Sequence, residues 1–135
     1  MKNIIYDYVG NPFIIAFKID SPLTESNIFI RSLFSTNGVY IDWGDDSREY
    51  LLTTYVIKDI KHVYNQKGYY IVHLYGDIIE ISFRHNLVLA EISQWGDLRL
   101  HSGSNSFCSC PLLKITAHDQ PNLKHAEKLS AMFAN

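Results

Sequence analysis

The sequence predicts a mainly β fold arranged as an antiparallel sandwich. The 135 residues include nine Tyr, seven Phe and two Trp, which are residue types enriched in strands. Short apolar segments recur about every ten residues with turn-forming residues between them, as in antiparallel sandwiches. No long amphipathic helical pattern occurs before residue 120.

The first two strands are predicted from alternating apolar residues. Segment 11–20 (NPFIIAFKID) has large apolar side chains at every second position: Phe13, Ile15, Phe17 and Ile19. This period of two indicates a strand with one apolar face. After a break, segment 27–34 resumes the pattern, and its two faces are predicted as Ile28 with Ile30 and Phe29 with Arg31.

Further strands follow, separated by turn signals such as STNG, NQKG and Gly-Asp. They are predicted over residues 39–43, 48–54, 56–64, 69–75 and 78–83. In segment 69–75, one face is formed by Tyr70, Val72 and Leu74. The opposite face carries Tyr69, His73 and Tyr75, which are either exposed binding residues or covered by the C-terminal segment.

Residues 40–50 (YIDWGDDSREY) place three carboxylates, Asp42, Asp45 and Asp46, beside Trp43. The GDDS segment is rich in turn formers, and Asp side chains accept hydrogen bonds from backbone N–H groups two residues on. We therefore expect a hairpin turn here. A calcium site is the alternative, although a calcium loop usually has more regularly spaced oxygens and a distal Glu. A catalytic pair of carboxylates would need a cleft, whereas the tip of a turn is convex.

Charge and motifs argue against several classes of function. The chain has 12 Lys and Arg against 14 Asp and Glu, with no basic run, so direct binding of nucleic acid is not expected. No apolar run approaches the about 20 residues that span a bilayer. There is no G-x-S-x-G, P-loop or G-x-G-x-x-G motif, and the six His form no H-x-x-x-H pair. We predict a non-enzymatic protein with no cofactor or metal.

Cys108 and Cys110 are the two cysteines, in the segment FCSCP. One intervening residue strains a disulfide, and two thiols cannot fill a tetrahedral zinc site, so we expect free thiols. The N-terminus lacks the cleavage site of a signal peptide. The chain as written is therefore expected in the cytoplasm, and at the surface or secreted if an export signal has been removed.

An ordered series of short motifs resembles a known family. Residues 42–45 read D-W-G-D, residues 62–64 read H-x-Y, and residues 68–72 read G-x-Y-x-V, with a closing Gly76. This series resembles the polycystic-kidney-disease (PKD) type of immunoglobulin-like domain. An I-x-Q-W-G segment at 92–96, an aromatic-Cys-Leu segment and a final Met-Phe continue it. In this order the motifs are similar to those of BspA-like bacterial proteins, in which leucine-rich repeats follow the PKD-like domain.

The resemblance implies a PKD-like sandwich over residues 1–85 and a leucine-rich-repeat-like extension over 86–135, packed on or continuing from it. It implies structural roles for six residues: Trp43, His62, Tyr64, Tyr70, Trp95 and Cys110. Tyr64 would hydrogen-bond back to the backbone as a tyrosine corner does. Phe107 and Phe133 stand 26 residues apart, which suits a leucine-rich solenoid. The family usually has Gly at the position of Asp46, so the turn type is open.

Two functional hypotheses follow. The first is a non-enzymatic interaction module of bacterial or phage origin that binds a protein or glycan through its sheet face, loops or open repeat end. Its candidate binding residues are Asp42, Asp45, Asp46, Tyr69, His73 and Tyr75. The alternative is a small intracellular inhibitor, encoded by a phage or mobile element, that occludes the active or nucleic-acid-binding site of a target protein. An open repeat end would be covered by another protein or by a second copy in a homodimer, unless the chain is a piece of a longer repeat protein.

Overall fold

The computed structural model describes residues 10–21, 27–100, 106–124 and 132–133. Nine β-strands lie in these ranges, and none of the described residues is helical. The strands are β1 (Phe13–Ile19), β2 (Asn27–Ser35), β3 (Val39–Asp42), β4 (Arg48–Leu51), β5 (Ile57–His62), β6 (Gly68–Tyr75), β7 (Ile78–Ser82), β8 (Leu89–Gln94) and β9 (Lys114–Ile115). The prediction of a mainly β protein is confirmed.

The strands form two sheets. A six-stranded sheet has the order β4-β3-β6-β1-β8-β9, and a three-stranded sheet has the order β5-β2-β7. All neighbouring strands pair antiparallel except β8 and β9, which pair parallel. The sandwich-like arrangement of two sheets is therefore as the sequence predicts, and β3 and β4 form the expected hairpin around residues 44–47.

The core consists of side chains from both sheets, and aromatic rings are its largest members. Phe17 of β1 packs against Phe29 of β2 with ring centroids 4.8 Å apart. Phe29 in turn meets Tyr64 nearly at a right angle, at 5.4 Å. Full burial of such a ring stabilises the fold by about 1.5–3 kcal/mol. The fully buried aromatic residues are Phe13, Phe17, Phe29, Trp43, Tyr64, Phe83 and Phe107.

Strand β2 departs from the strict alternation that its sequence predicts. Phe29 and Ile30 are adjacent in the chain, and both are buried, with exposed fractions of 2% and 0%. The register between β2 and β5 shifts between Ile28 and Ile30, which is the position of a β-bulge. The predicted placement of Phe29 with the exposed Arg31 is therefore wrong, because the bulge interrupts the period of two.

The segment after residue 85 adds two strands to the six-stranded sheet that contains β1. Strand β8 pairs antiparallel with β1 at the centre of the sheet. Strand β9 then adds parallel to β8, with Glu91 opposite Lys114 and Ile92 opposite Ile115. An isolated parallel bridge joins Arg99 to Asn122. The predicted boundary at residue 85 thus lies between strand β7 of the three-stranded sheet and strand β8 of the six-stranded sheet, and the six-stranded sheet contains strands from both sides of it.

Several contacts attach the chain beyond β8. The Asp119 carboxylate accepts hydrogen bonds from the backbone N–H groups of Trp95 and Gly96, both at 2.9 Å. Phe107 and Phe133 are the two residues whose spacing in the sequence suits a leucine-rich solenoid. Their rings stack with centroids 5.4 Å apart. Residues 125–131, part of the predicted irregular return, lie outside the described residues.

Gly96 is a position at which only glycine fits. Its φ is +59°, and an added Cβ would lie 2.1 Å from the backbone oxygen of Pro12. We expect Gly96→Ala to lower the free energy of unfolding by about 1–3 kcal/mol, because the left-handed conformation and the close contact with the backbone both oppose a side chain. Urea denaturation measures this change. Gly68→Ala is the control, since Gly68 lacks a positive φ; an equal loss in both variants would contradict the explanation.

Candidate functional site

The turn between β3 and β4 is closed by its own carboxylates. Asp42 Oδ1 accepts a hydrogen bond from the N–H of Gly44 at 3.0 Å, and Asp45 Oδ1 accepts one from the N–H of Ser47 at 3.1 Å. The N–H of Trp43 donates to the carbonyl of Ser47 at 3.1 Å. Two of the three carboxylates thus accept hydrogen bonds from backbone N–H groups of the turn and stabilise its conformation.

Asp46 occupies a left-handed conformation with φ of 66° and is exposed. Asp is among the few residues besides glycine that tolerate this conformation, so Asp46 is compatible with a left-handed turn. Across the hairpin, Asp42 forms an ion pair with Arg48 at 3.6 Å in which the arginine side chain is 43% exposed. Exposed pairs of this kind contribute on the order of 0–1 kcal/mol.

Ser47, His62 and Asp45 lie together but are not arranged as a nucleophile with its base. His62 Nε2 is 2.8 Å from Asp45 Oδ2 and 3.5 Å from Ser47 Oγ, so one nitrogen faces both partners. An ionised carboxylate only accepts hydrogen bonds, so Nε2 carries the proton and cannot take one from Ser47. The Ser47 hydroxyl donates to Asp45 Oδ1 instead. A serine triad needs opposite ring nitrogens for its two partners.

Asp45 is held in its ionised form by these neighbours. Partial burial raises the pKa of Asp45, but the hydrogen bonds from Ser47 and His62 outweigh it, and the pKa lies below its usual range. The carboxylate therefore carries its charge at neutral pH and links the turn to His62 of β5. Its lone pairs are directed at protein donors.

Trp43 and Tyr64 connect the two sheets directly below this turn. The Tyr64 hydroxyl donates a 2.6 Å hydrogen bond to the backbone carbonyl of Trp43, and both side chains are 0–1% exposed. Trp43 Nε1 donates to Glu49 Oε1 at 2.8 Å, and the indole stacks on the His62 ring at 4.2 Å. Burial and the nearby Asp45 charge raise the pKa of Tyr64. Its hydroxyl therefore keeps its proton at neutral pH and acts as a hydrogen-bond donor.

The other three residues predicted to be structural have defined contacts. Tyr70 stacks on Tyr64 at 4.1 Å and donates to the carbonyl of Gln66 at 2.6 Å. Trp95 is 4% exposed and packs on Phe13 with ring centroids 5.9 Å apart. The Cys110 thiol is buried and donates to the carbonyl of Phe83 at 3.3 Å, and burial raises its pKa. Both cysteines are free.

A group of exposed rings lies on the solvent side of the six-stranded sheet. Alternation along β3, β4 and β6 directs these side chains away from the core, and we call this surface the outer face. Tyr40 is paired with Tyr50 on one side and with Tyr75 on the other. The rings of Tyr40 and Tyr50 are 4.5 Å apart. The apolar and aromatic members of the outer face on β3, β4 and β6 are Tyr40, Tyr50, Tyr69, Ile71, His73 and Tyr75.

These side chains are accessible to a partner. Tyr69 and Ile71 are each 51% exposed and Tyr50 is 45% exposed, while His73 and Tyr75 are half-buried. The rings of His73 and Tyr75 stack at 6.3 Å. The sequence left open whether this face is exposed or covered by the C-terminal segment. In the described part of the chain, Tyr69 is exposed.

The outer face also carries charge beyond its aromatic part. The Tyr69 hydroxyl donates a 2.5 Å hydrogen bond to Glu91 Oε1, and the Thr116 hydroxyl donates to Glu91 Oε2. These two donors hold the pKa of Glu91 below its usual range. Partial desolvation and the bond to Glu91 raise the pKa of Tyr69 to about 12.

Sequence reasoning missed part of this surface. Tyr40, Tyr50 and Ile71 complete the aromatic group but were not selected from the sequence. The available signal was the hairpin register, because Tyr40 and Tyr50 become direct partners once residues 44–47 are taken as the turn. The structure does not bring Asp45 or Asp46 onto this face; they lie at the turn, and Asp42 alone of the three lies beside His73.

Within the described ranges, no group of three or more His, Cys, Asp or Glu side chains could hold a metal ion. Nor do those ranges contain a helix long and apolar enough to cross a membrane. In comparisons with known proteins, no protein-family model, curated protein or solved structure matches this chain.

Removal of the buried indole tests the link between the sheets. We expect Trp43→Ala to lower the free energy of unfolding by about 3–5 kcal/mol, since it leaves a large cavity. Chemical denaturation measures the change. Tyr55→Ala is the matched control, because Tyr55 is 74% exposed and its removal should cost less than about 0.5 kcal/mol. A loss under about 1 kcal/mol for Trp43→Ala would show that the ring does not support the fold.

The lowered pKa of Asp45 predicts a pH dependence. A carboxyl whose folded pKa lies below its unfolded value, near 3.8, stabilises the fold above that pH and loses this contribution as pH falls through the folded pKa. Asp45→Asn should therefore be about 1 kcal/mol less stable than the parent at pH 7, with the difference shrinking below about pH 4. Urea midpoints from pH 7 to pH 3 test this, with the exposed Asp20→Asn as control. A constant difference across that range would contradict the assignment.

Proposed function

We infer that the protein is a non-enzymatic interaction module that binds a protein partner through the outer face. The observation that carries this proposal is the group of exposed apolar and aromatic side chains on one regular sheet, with Tyr50, Tyr69 and Ile71 each at least 45% exposed. Exposed apolar and aromatic side chains gathered on one face of a sheet are typical of surfaces that bind other proteins.

The chemistry of the outer face suits recognition by contact. Tyrosine side chains offer large, rigid surfaces with a polar end, and they are enriched among residues that dominate binding energy. Asp42 and Arg48 flank the rings as an ion pair, which forms a polar border. A sheet holds these groups in fixed positions, so little conformational entropy is lost when a partner binds.

The proposal that the protein is not an enzyme rests on the turn. The Asp45 carboxylate is engaged by Ser47 and His62, and the His62 nitrogen that faces Ser47 is a donor. That arrangement stabilises the turn and leaves no base for the serine hydroxyl.

For the architecture, we propose a PKD-like sandwich with a leucine-rich-repeat-like extension. Its support is the parallel register after β8. The pairs Glu91–Lys114, Ile92–Ile115 and Arg99–Asn122 are all separated by 23 residues, which falls within the 20–29 residues of leucine-rich repeats. Successive coils of a solenoid keep one such offset. An experimental structure with β9 antiparallel to β8 would contradict this assignment.

Substitution of the outer face tests the proposed function. Tyr50→Ser combined with Ile71→Ser removes two exposed side chains without altering the core. Tagged protein would be used to capture partners from a cell lysate, and affinity for the captured protein would be measured by calorimetry. We expect the double variant to bind at least about tenfold more weakly, a change of about 1.4 kcal/mol.

The control is Leu87→Ser, at a side chain that is 70% exposed but follows β7 outside the outer face. Circular dichroism would verify that all variants fold. Equal affinities of the parent, the double variant and the control for the captured protein would exclude the outer face. If the protein bound a glycan on an array and captured no protein, the choice of a protein partner would be contradicted.

A further inference from the structure

A groove lies at the end of the outer face where β6, β1, β8 and β9 adjoin. It has a volume of about 410 Å³ and is lined by Lys18, Tyr69, Ala90, Leu112 and Lys114. Ala90 and Leu112 supply apolar surface, and Leu112 is 41% exposed. An ammonium group from β1 and one from β9 therefore flank an apolar and aromatic surface.

The two lysines are not neutralised within the described part of the chain. Neither Lys18 nor Lys114 forms an ion pair there, although Lys114 is paired in register with Glu91. The reason is that the Glu91 carboxylate is turned to other donors, with one oxygen bonded to Tyr69 and the other to Thr116. The local charge of these lysines and Glu91 is +1.

The placement of the lysines suggests the spacing of the groups they would bind. The backbone N–H of Lys18 donates to the carbonyl of Val88, in the segment entering β8. Val88 is three residues before Glu91, and Glu91 lies opposite Lys114. The register shift between Ala16 and Phe17 sets three residues of β8 against two of β1, so the offset along the strands is two to three residues at about 3.3 Å each. With two strand spacings of about 4.8 Å, the two Cα atoms are about 12–14 Å apart. In an extended chain, residues i and i+4 are about 13 Å apart and point to the same side.

We propose that this groove binds an extended acidic segment of a partner protein, with carboxylates at positions i and i+4 and an apolar side chain at i+2. The carboxylates meet Lys18 and Lys114, and the apolar side chain contacts Leu112 and the Tyr69 ring. This inference rests on the proposed function, since it specifies the partner's chemistry at one end of the outer face. Charge complementarity of this kind contributes to specificity and to the rate of association.

A labelled peptide, Gly-Gly-Glu-Thr-Leu-Thr-Glu-Gly-Gly, tests the proposal by fluorescence anisotropy. We expect binding that weakens as NaCl is raised from about 50 mM to about 500 mM, because salt screens exposed charges. The peptide with both Glu replaced by Gln should bind at least about tenfold more weakly. So should Gly-Gly-Glu-Glu-Leu-Thr-Thr-Gly-Gly, which keeps the composition but loses the spacing.

The matching protein variant is Lys18→Gln with Lys114→Gln, which should lose at least about tenfold in peptide affinity. The control is Lys58→Gln with Lys61→Gln, two exposed lysines on β5 of the other sheet, and its affinity should stay unchanged. No binding at about 1 mM peptide, equal binding of the Gln peptide, or an unaffected groove variant would overturn the proposal. Tighter binding of an oligonucleotide than of the peptide would overturn it too.

The partner captured in the preceding experiment separates the two proposals. If Tyr50→Ser with Ile71→Ser abolishes its capture while the lysine variant retains it, the acidic-segment proposal fails and the outer face stands. If neither variant affects its capture, both proposals fail. Loss of capture in both variants, with the β5 control unaffected, supports both.

Discussion

The hydrogen bond from the Tyr64 hydroxyl to the Trp43 carbonyl is the interaction on which the rest of the structure depends. It joins the segment that follows β5 of the three-stranded sheet to the hairpin turn of the six-stranded sheet. Both residues are almost fully buried, so the bond forms where an unpaired carbonyl would cost about 1–3 kcal/mol. His62, two residues earlier, stacks on the same indole and bonds to Asp45. One short segment thereby fixes the position of one sheet against the other.

The acidic turn beside this link has the composition of a cation site, yet the carboxylates of Asp42 and Asp45 accept hydrogen bonds from the N–H groups of Gly44 and Ser47, and Asp45 also bonds to His62. The same hairpin brings Tyr40 beside Tyr50 on the opposite side of the sheet, facing solvent. A turn that is stabilised internally therefore displays an aromatic surface next to it. The proposed function lies in that surface because its rings are accessible.

The segment after β8 shapes the other end of the outer face. Strand β9 widens the sheet by pairing parallel to β8, and this pairing places Lys114 on the same side as Lys18. The parallel pairing also exposes a new edge. Ile92 is fully buried in β8, whereas Ile115, its partner in register on β9, is 47% exposed. An edge strand with exposed apolar residues is a surface on which further chain can add.

Much of the local structure could be predicted from the sequence alone. The alternation of Phe13, Ile15 and Phe17 determined β1 and its buried face, and the GDDS segment determined the position of the hairpin turn. These features depend on a period of two and on turn chemistry, both of which are set by residues close together in the chain. Strand boundaries differ from the prediction by a few residues, for example at β5, which spans Ile57–His62.

Only the tertiary structure decided which strands become neighbours. That β1 lies between β6 and β8, and that Lys18 and Lys114 flank one groove, depends on pairing between segments far apart in sequence. The bulge at Phe29 likewise satisfies packing against Phe17 of the other sheet. Such arrangements follow from the free energy of burying distant apolar surfaces against one another, and a local pattern contains no information about the partner surface.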